Sequence, residues 1–585
     1  MPDADIERAS ASVQPEIVEK HPMHIPGIET SAATSLHRGL RSRQIHMIAM
    51  GGALGTGLLV STGSALHTGG PASIFIAYSV IGFIVFLVMT ALGEMAAWLP
   101  MSGGFSGFAT RFVHPSLGFA MGWTYWFKYI ITTPNQMTAG ALVIQYWLTR
   151  EQVNPGVWIT VFLLVIIAFN YFGIRFFGEL EFWLSTFKIL VIIGLIILML
   201  VVALGGGPNH HRTGFLYWSD PGAFNTSITT GSLGKFAAFW STFNTATFAY
   251  LGTELIGVTV GEAQNPRKTL PQAIKLTFFR ITIFYCLSTL LIGLCVPYNA
   301  KAFSEAGAST TTAAASPFVI AIQLAGIKIL PHIINAAILI FVFSAANSDL
   351  YIASRTLYGN ASNQMAPAIF RKTDKRHVPL YALGLSAAFC LLAYLNVSTN
   401  SATVFGYFVN LVTIFGLLTW ISILISHICF IRARRAQGIS DSMLPYTAPL
   451  GIWGSAIALF FCCLIALTKN YSVFAYYKGA GFISQSHYAT FITGYLGIPL
   501  FLILLFGHMI WTGSKGIAFK DVDLFTGKDI IDSEEGEFLA MQEATRKKNN
   551  AFTEVYKRPR STISERLPTV VKAISHCSSV FGIMA

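Results

Sequence analysis

Twelve apolar stretches dominate the chain, and each has the length of about 20 residues with which a helix crosses the hydrocarbon core of a bilayer. Charged residues make up only 11% of the 585 residues, against 53% hydrophobic residues. Soluble domains carry roughly 25% charged residues, so the sequence argues against a string of soluble domains. We predict an all-α polytopic membrane protein with about twelve transmembrane helices, here called spans one to twelve. They are predicted at 45–66, 71–97, 116–148, 156–174, 182–204, 236–260, 274–296, 329–357, 379–396, 402–431, 450–468 and 488–512.

The distribution of charge indicates how these spans are oriented. The formal net charge is +12, and the whole excess lies between residues 45 and 512, in segments that separate apolar stretches. This pattern indicates membrane topology rather than a surface for nucleic acid. With both termini in the cytoplasm, fourteen of the basic residues near the spans face inward and seven face outward. The excess of basic residues inside favours a transmembrane domain at 45–512 with cytoplasmic tails at 1–44 and 513–585.

The two tails, the cysteines and the missing catalytic motifs indicate which further functions the sequence favours or excludes. The tails alternate blocks of charge and contain no apolar stretch of span length, so we expect them to be flexible and to bind cytoplasmic regulatory partners. The seven cysteines lie mostly inside apolar stretches without metal-type spacing, and we expect no metal or cofactor. The sequence contains no nucleophile elbow, paired metal ligands or phosphate loop that would indicate an enzyme.

Glycine-rich interruptions occur at matching places in spans one and six. Span one contains MGGALGTG at 50–57, and span six contains FAYLGTE at 248–254. The two Gly-Thr pairs are 197 residues apart, close to the 191 residues between the starts of the two spans, as in a repeat of five spans. A broken helix exposes unpaired amides and carbonyls, which can hold a carboxylate and an ammonium at mid-membrane. The alternative is that these glycines only allow close helix packing.

Several motifs in the chain resemble those of the fungal amino-acid permeases of the amino acid-polyamine-organocation superfamily. The resemblance covers most of 36–512. It implies a leucine-transporter-like fold, with spans one to five and six to ten as inverted repeats and two extra helices, and proton-driven uptake of amino acids at the plasma membrane. The matching motifs are GTG at 55–57, TGGP at 68–71, GEM at 93–95, LP at 99–100, ELEFW at 179–183, GEAQNPRK at 261–268 and SAANS at 344–348.

The resemblance also implies where the substrate binds. The α-carboxylate is expected on the backbone amides of Gly55, Thr56 and Gly57. The α-ammonium is expected at the carbonyls around Phe248, Ala249 and Gly252. Tyr250 is expected to act as a gate or as a wall beside the substrate side chain, the alternative being ordinary aromatic packing.

Span three carries the most informative residue, Lys128, about twelve residues inside the span. A charge at this depth costs about 2.5–3.5 kcal/mol and is by default a candidate functional group. Three structural alternatives remain open: the side chain reaches the membrane surface, pairs with an acid such as Glu254 or Asp349, or is neutral. In relatives that transport cationic amino acids, a glutamate typically lies near the position of Gln136. In this sequence no acidic residue is present there, and the basic residue Lys128 lies about two helical turns from Gln136.

A lysine in the substrate site favours an anionic substrate, and the segment 125–136 resembles that of the dicarboxylic amino-acid permeases. We therefore predict a proton-coupled importer of glutamate and aspartate, with small neutral amino acids tolerated. A neutral amino-acid permease in which Lys128 is structural and a sensor that binds without transport are the alternatives. For proton coupling we predict Lys188, whose fifth-span position in related transporters replaces a sodium ion, and Glu254. A purely structural ion pair is the alternative for both.

Overall fold

A computed structural model of the protein describes residues 54–101, 104–172, 174–255, 266–303, 316–398, 401–474 and 485–529, with Met47, Gly257 and a few residues between 531 and 543. In these ranges the predicted all-α fold is confirmed, and each of the twelve stretches overlaps a helix. The spans are Gly57–Ser61 with Thr62–Gly69; Pro71–Trp98; Pro115–Ile144; Pro155–Tyr171; Ile174–Ala203; Gly231–Tyr250; Pro266–Arg280 with Ile281–Leu287 and Ser288–Cys295; Leu330–Ser362; Leu380–Phe389 with Cys390–Tyr394 and Leu395–Ser398; Ser401–Ala436; Gly451–Thr468; and Gln485–Tyr495 with Gly497–Thr512. Two shorter α-helices in the described ranges, Gly104–Phe112 and Pro317–Leu324, were not predicted.

Local signals in the sequence explain where several spans begin. Spans two, three and four each start with a proline, whose fixed φ suits the first helical position and whose missing N–H is no loss there. His114 caps span three by accepting a hydrogen bond from Ser116 N at 3.1 Å. Asn154 caps span four by accepting one from Gly156 N at 2.8 Å. These caps fix the helix starts independently of the apolar pattern.

Eight helices in the described part of the chain are long and apolar enough to cross a membrane. Spans one, three, four and six fall outside this set. Span four is apolar but has only 17 residues, spans one and six are broken, and span three carries Lys128, Asn135 and Gln136 within its 30 residues. Apart from span four, the spans that depart from membrane composition are therefore those that the sequence predicts to form the site.

The core of the bundle lies around spans eight and ten. Their most apolar windows are 72% and 78% buried within the protein, against 33% for span eleven and 17% for span twelve. Span twelve presents large side chains outward, such as Trp511, which is 90% exposed. Such an exposed apolar surface suits contact with lipid. Spans eleven and twelve are accordingly peripheral, and the polar spans lie inside.

The predicted interruption of span six is present. Its helix ends at Tyr250, Leu251 is extended with ψ 144°, and Gly252 has φ +94°, a conformation that only glycine adopts without strain. In span one, Leu54 and Gly55 are not helical, and the helix begins beyond them. The residues 50–53 of this predicted interruption lie outside the described residues.

Spans one and six meet beside their interruptions, at Gly57 and Ala249. A Cβ atom added to Gly57 would lie 2.4 Å from the Cα atom of Ala249, closer than nonbonded carbons can approach. The backbones of spans one and six therefore touch directly. Only a glycine at position 57 allows this contact.

The compact unit of the transmembrane part extends to Leu524, beyond the predicted start of the C-terminal tail at 513. Trp98 Nε1 donates a hydrogen bond to Leu524 O at 2.9 Å, and Arg111 pairs with Asp523 at 2.7 Å. Residues 513–524 thus pack on the helices rather than forming part of a free tail. In the second unit, Phe525–Ala585, Lys528 and Asp532 form an ion pair at 2.8 Å.

Replacing Gly57 by alanine should destabilise the protein by about 1–3 kcal/mol, because the added methyl group must push spans one and six apart. The matched control is Gly406→Ala in span ten, where an added Cβ meets no atom within 4 Å. Thermal unfolding of the detergent-solubilised variants should give a lower Tm for Gly57→Ala than for wild type and Gly406→Ala. Equal Tm values for the two variants would contradict the close contact.

Candidate functional site

A cavity lies where the broken spans face spans three, eight and ten, with a volume of about 40 Å³. Every residue predicted to bind substrate lines it except Tyr250. The structure adds residues that the sequence analysis did not assign to the site. The lining comprises Gly55, Thr56, Gly57, Lys128, Tyr129, Thr132, Gln136, Phe248, Ala249, Leu251, Gly252, Leu255, Ala345, Asp349 and Val412.

Backbone groups of both broken spans border this cavity. The helix of span one starts at Gly57, so the amides of its first turn lack partners within the helix and attract an anion. At the end of span six, Phe248 O accepts a hydrogen bond from Leu251 N at 3.2 Å, and Ala249 O accepts one from Tyr285 at 3.2 Å. Each carbonyl keeps a second lone pair that can accept from an ammonium group.

Gln136 joins span three to the break of span one. The hydroxyl of Thr56 donates a hydrogen bond to Gln136 Oε1 at 2.9 Å, and both residues are buried. Because the acceptor oxygen is used by Thr56, the amide nitrogen of Gln136 is the group available to a carboxylate. The side chain of Gln136 also interacts with Asp349.

Lys128 forms a buried ion pair with Glu254. Its ammonium donates to Glu254 Oε1, and both side chains are only 1% exposed. Glu254 also accepts hydrogen bonds from Gly252 N at 3.2 Å and from Trp420 Nε1 at 3.2 Å. The ion pair with Glu254, one of the structural alternatives for Lys128, is therefore present. The same lysine side chain also lines the cavity.

Two tyrosines complete the surroundings of Lys128. Its Nζ atom lies 3.4 Å from the hydroxyl of Tyr129, 4.7 Å from the ring centre of Tyr129 and 5.2 Å from that of Tyr125. The negative faces of aromatic rings stabilise a cation in a dehydrated place. These rings and the Glu254 carboxylate explain how a charged lysine is tolerated in the interior.

Asp349 brings a carboxylate into the cavity wall from span eight. It is 7% exposed, and its Oδ2 atom has no hydrogen-bond partner among the described residues. A buried oxygen of this kind is an acceptor for an ammonium or a proton. From the sequence, Asp349 is named only as a possible ion-pair partner of Lys128 and is not placed beside the substrate.

Lys188 does not line the cavity but lies in a second buried ion pair, 3.6 Å from Glu181 Oε1. Glu181 accepts hydrogen bonds from Ser185 at 3.2 Å and from Ser344 of span eight at 3.0 Å. Ser344 is in the same helix as Asp349, so Lys188 is linked to the cavity through span eight. The spacing of Glu181 and Lys188, two turns apart on one helix, was the signal for this pair that the sequence analysis did not use.

Tyr250 does not line this cavity, and its role as gate or wall stays a prediction. Its hydroxyl donates to Tyr78 O at 2.9 Å, and its ring stacks on Tyr285 with centres 4.3 Å apart. The residue faces spans two and seven because it precedes the break and follows the helical direction of span six. Aromatic packing, the alternative interpretation, describes its environment.

Comparison with known proteins shows a family match and several similar proteins. Residues 44–517 match the family described as "Amino acid permease". The dicarboxylic amino acid permease of Saccharomyces cerevisiae is 54% identical over 506 residues, which cover 86% of this chain and 82% of that protein. The proline-specific permease of Emericella nidulans is 41% identical over 86% of this chain and 90% of its own length. The cationic amino acid transporter 1 of Schizosaccharomyces pombe is 40% identical over 86% and 84%.

The buried pair of Lys128 and Glu254 predicts a non-additive pattern of stability. Lys128→Met and Glu254→Gln should each cost about 3–5 kcal/mol, because each leaves one buried charge without its partner. The double variant should lose less than the sum of the two, as measured by thermal unfolding in detergent. The exposed pair Lys528 and Asp532 is the control and should show coupling below about 0.5 kcal/mol. Additive losses at Lys128 and Glu254 would contradict the pairing.

Proposed function

Since the chain belongs to the amino acid permease family, we propose that it imports acidic amino acids, glutamate and aspartate, together with protons across the plasma membrane. The protein is a multi-pass secondary transporter and not an enzyme. Small neutral amino acids are tolerated as substrates. Both tails lie in the cytoplasm, where they bind regulatory partners.

The observation that carries the choice of substrate is the position of Lys128 in the cavity wall. Family membership alone does not decide the charge of the substrate, because relatives that are 40% to 54% identical are named for dicarboxylic amino acids, for proline and for cationic amino acids. An ammonium in the site attracts a side-chain carboxylate and repels arginine or lysine. The highest identity among these three relatives, 54% to a dicarboxylic amino acid permease, supports the same choice.

The other lining groups have complementary roles in this proposal. The amides of Gly55, Thr56 and Gly57 bind the α-carboxylate. The carbonyls of Phe248, Ala249 and Gly252 bind the α-ammonium, with Asp349 as a further acceptor. Gln136 donates to the side-chain carboxylate next to Lys128.

The size of the cavity implies movement during transport. Its volume of about 40 Å³ holds only a few water molecules at roughly 10–15 Å³ each. Glutamate has ten non-hydrogen atoms and needs more space than this. Spans one and six therefore move relative to spans three and eight when substrate enters, in an alternating-access cycle.

Proton coupling in this proposal rests on Lys188 and Glu254. Both are fully buried charged groups in ion pairs, and Lys188 connects to the cavity through Glu181 and Ser344. Protonation of a buried carboxylate, or deprotonation of a buried lysine, can alternate as the surroundings change during transport.

A second candidate function is transport of neutral amino acids with Lys128 as a structural residue. The observation that favours it is the Lys128–Glu254 ion pair, which already satisfies the lysine without substrate. The two functions differ in whether a carboxylate substrate gains from the ammonium. They are separated by measuring which amino acids are carried.

The direct test is initial-rate uptake of labelled glutamate at acidic and neutral external pH, in cells that lack their own amino-acid carriers. Excess aspartate, leucine or arginine serves as competitor. We expect uptake that rises in acid and is blocked by aspartate and not by arginine. Absence of glutamate uptake, with leucine carried instead, would assign Lys128 a structural role.

Replacing Lys128 by glutamine should lower kcat/KM for glutamate by about 10–100-fold, the equivalent of one hydrogen bond between charged groups. Uptake of glutamine by the same variant is the internal control and should fall much less. Lys128→Arg keeps the charge and should retain part of the glutamate activity. An equal loss for both substrates in Lys128→Gln would show that the charge acts on the structure rather than on selectivity.

A further inference from the structure

Lys128 lies in the cavity wall, and its ammonium is paired with a carboxylate of the protein. Lys128 lines the cavity, whereas Glu254, its ion-pair partner, is not among the lining residues. Glu254 is held in place by hydrogen bonds from Gly252 N and Trp420 Nε1. A substrate carboxylate that reaches Lys128 from the cavity therefore meets a cation that is already neutralised.

Two carboxylates cannot share this buried cation without cost. With Glu254 and a substrate carboxylate both ionised around Lys128, the site would carry one uncompensated negative charge away from water. Burying an unpaired charge is costly, and a group in that position becomes neutral instead. A single proton on one of the two carboxylates restores balance.

We propose that Glu254 and the side-chain carboxylate of an acidic substrate compete for Lys128, and that Glu254 takes up one proton when an acidic substrate binds. In this exchange the Lys128–Glu254 ion pair breaks and a Lys128–substrate ion pair forms. The proton comes from the external solution and binds Glu254 Oε1, the oxygen that Lys128 releases. Trp420 and the amide of Gly252 still donate to the other oxygen. A neutral substrate offers no second carboxylate, so the original pair persists.

Other charged and titratable groups also act on Glu254, and their effect is common to both classes of substrate. Span three contributes Tyr125 and Tyr129. Span seven contributes Arg280, whose guanidinium donates a hydrogen bond at 2.8 Å to the hydroxyl of Thr253, the residue before Glu254. Asp349 of span eight interacts with Lys128. Because these groups are present whichever substrate binds, a difference between glutamate and glutamine isolates the competition at Lys128.

The exchange explains how one cavity handles substrates of different charge. Glutamate brings one more negative charge than glutamine, and the proton on Glu254 adds one positive charge. The loaded site therefore has the same net charge with either amino acid. This inference rests on the proposed function, since it requires that glutamate is carried, and it makes the proton count depend on the substrate.

The test compares proton uptake during transport of labelled glutamate and labelled glutamine by the wild-type protein in carrier-deficient cells. We expect one additional proton per glutamate. The apparent KM for glutamate should also fall by up to tenfold per unit of acidification relative to that for glutamine. Equal proton counts, with glutamate carried, would overturn this inference alone. Absence of any glutamate uptake would overturn the proposed function and this inference with it.

Two matched variants locate the proton. In Glu254→Gln the additional proton per glutamate should disappear, and exchange of internal for external glutamate should continue because it requires no proton release. Asp349→Asn should slow the uptake of both amino acids, because Asp349 accepts from the α-ammonium, but the additional proton per glutamate carried should remain. The opposite pattern would place the proton on Asp349 and overturn the proposal. Should Glu254→Gln fail to reach the cell surface, the wild-type comparison of proton counts decides the question.

Discussion

The direct contact between Gly57 and Ala249 is the constraint on which the site depends. Hydrocarbon offers no hydrogen-bond partners, so an unwound backbone inside a membrane is stable only where protein surrounds it. Here the helix ends beside the two breaks lie against each other, since a Cβ atom added to Gly57 would be only 2.4 Å from the Cα atom of Ala249. The breaks can therefore present amides and carbonyls to a common cavity without exposing them to lipid.

The buried charged residues are likewise paired with other groups of the protein. Lys128 pairs with Glu254 and Lys188 with Glu181. At the end of span two, Glu94 accepts a hydrogen bond from Ala448 N at 2.7 Å and lies 3.3 Å from His427. Such pairs add little net stability, since dehydrating the charges offsets their attraction. The ion pairs hold charged groups at defined positions. Two of the paired residues belong to the site: Lys128 lines the cavity, and Glu254 lies in the break of span six.

Asp349 differs from these paired residues. Its Oδ2 atom has no hydrogen-bond partner within the described part of the chain, although Lys128 and Gln136 act on the same carboxylate. The cavity thus combines one lysine and one aspartate on opposite helices with the backbone groups of the breaks. In the proposed function these groups serve the three charges of an acidic amino acid, whereas a neutral amino acid would use only part of them.

Sequence alone determined the helical membrane fold, the break of span six and most of the predicted residues that line the cavity. The apolar stretches follow from the thickness of the bilayer, and Gly252 marks the break of span six because only glycine adopts φ +94° without strain. These are local properties of the chain. The partners of side chains are not local, because they depend on how spans distant in sequence pack. Only the tertiary structure therefore decided that Lys128 meets Glu254 across 126 residues, that Asp349 faces the cavity, and that Tyr250 turns away to stack on Tyr285.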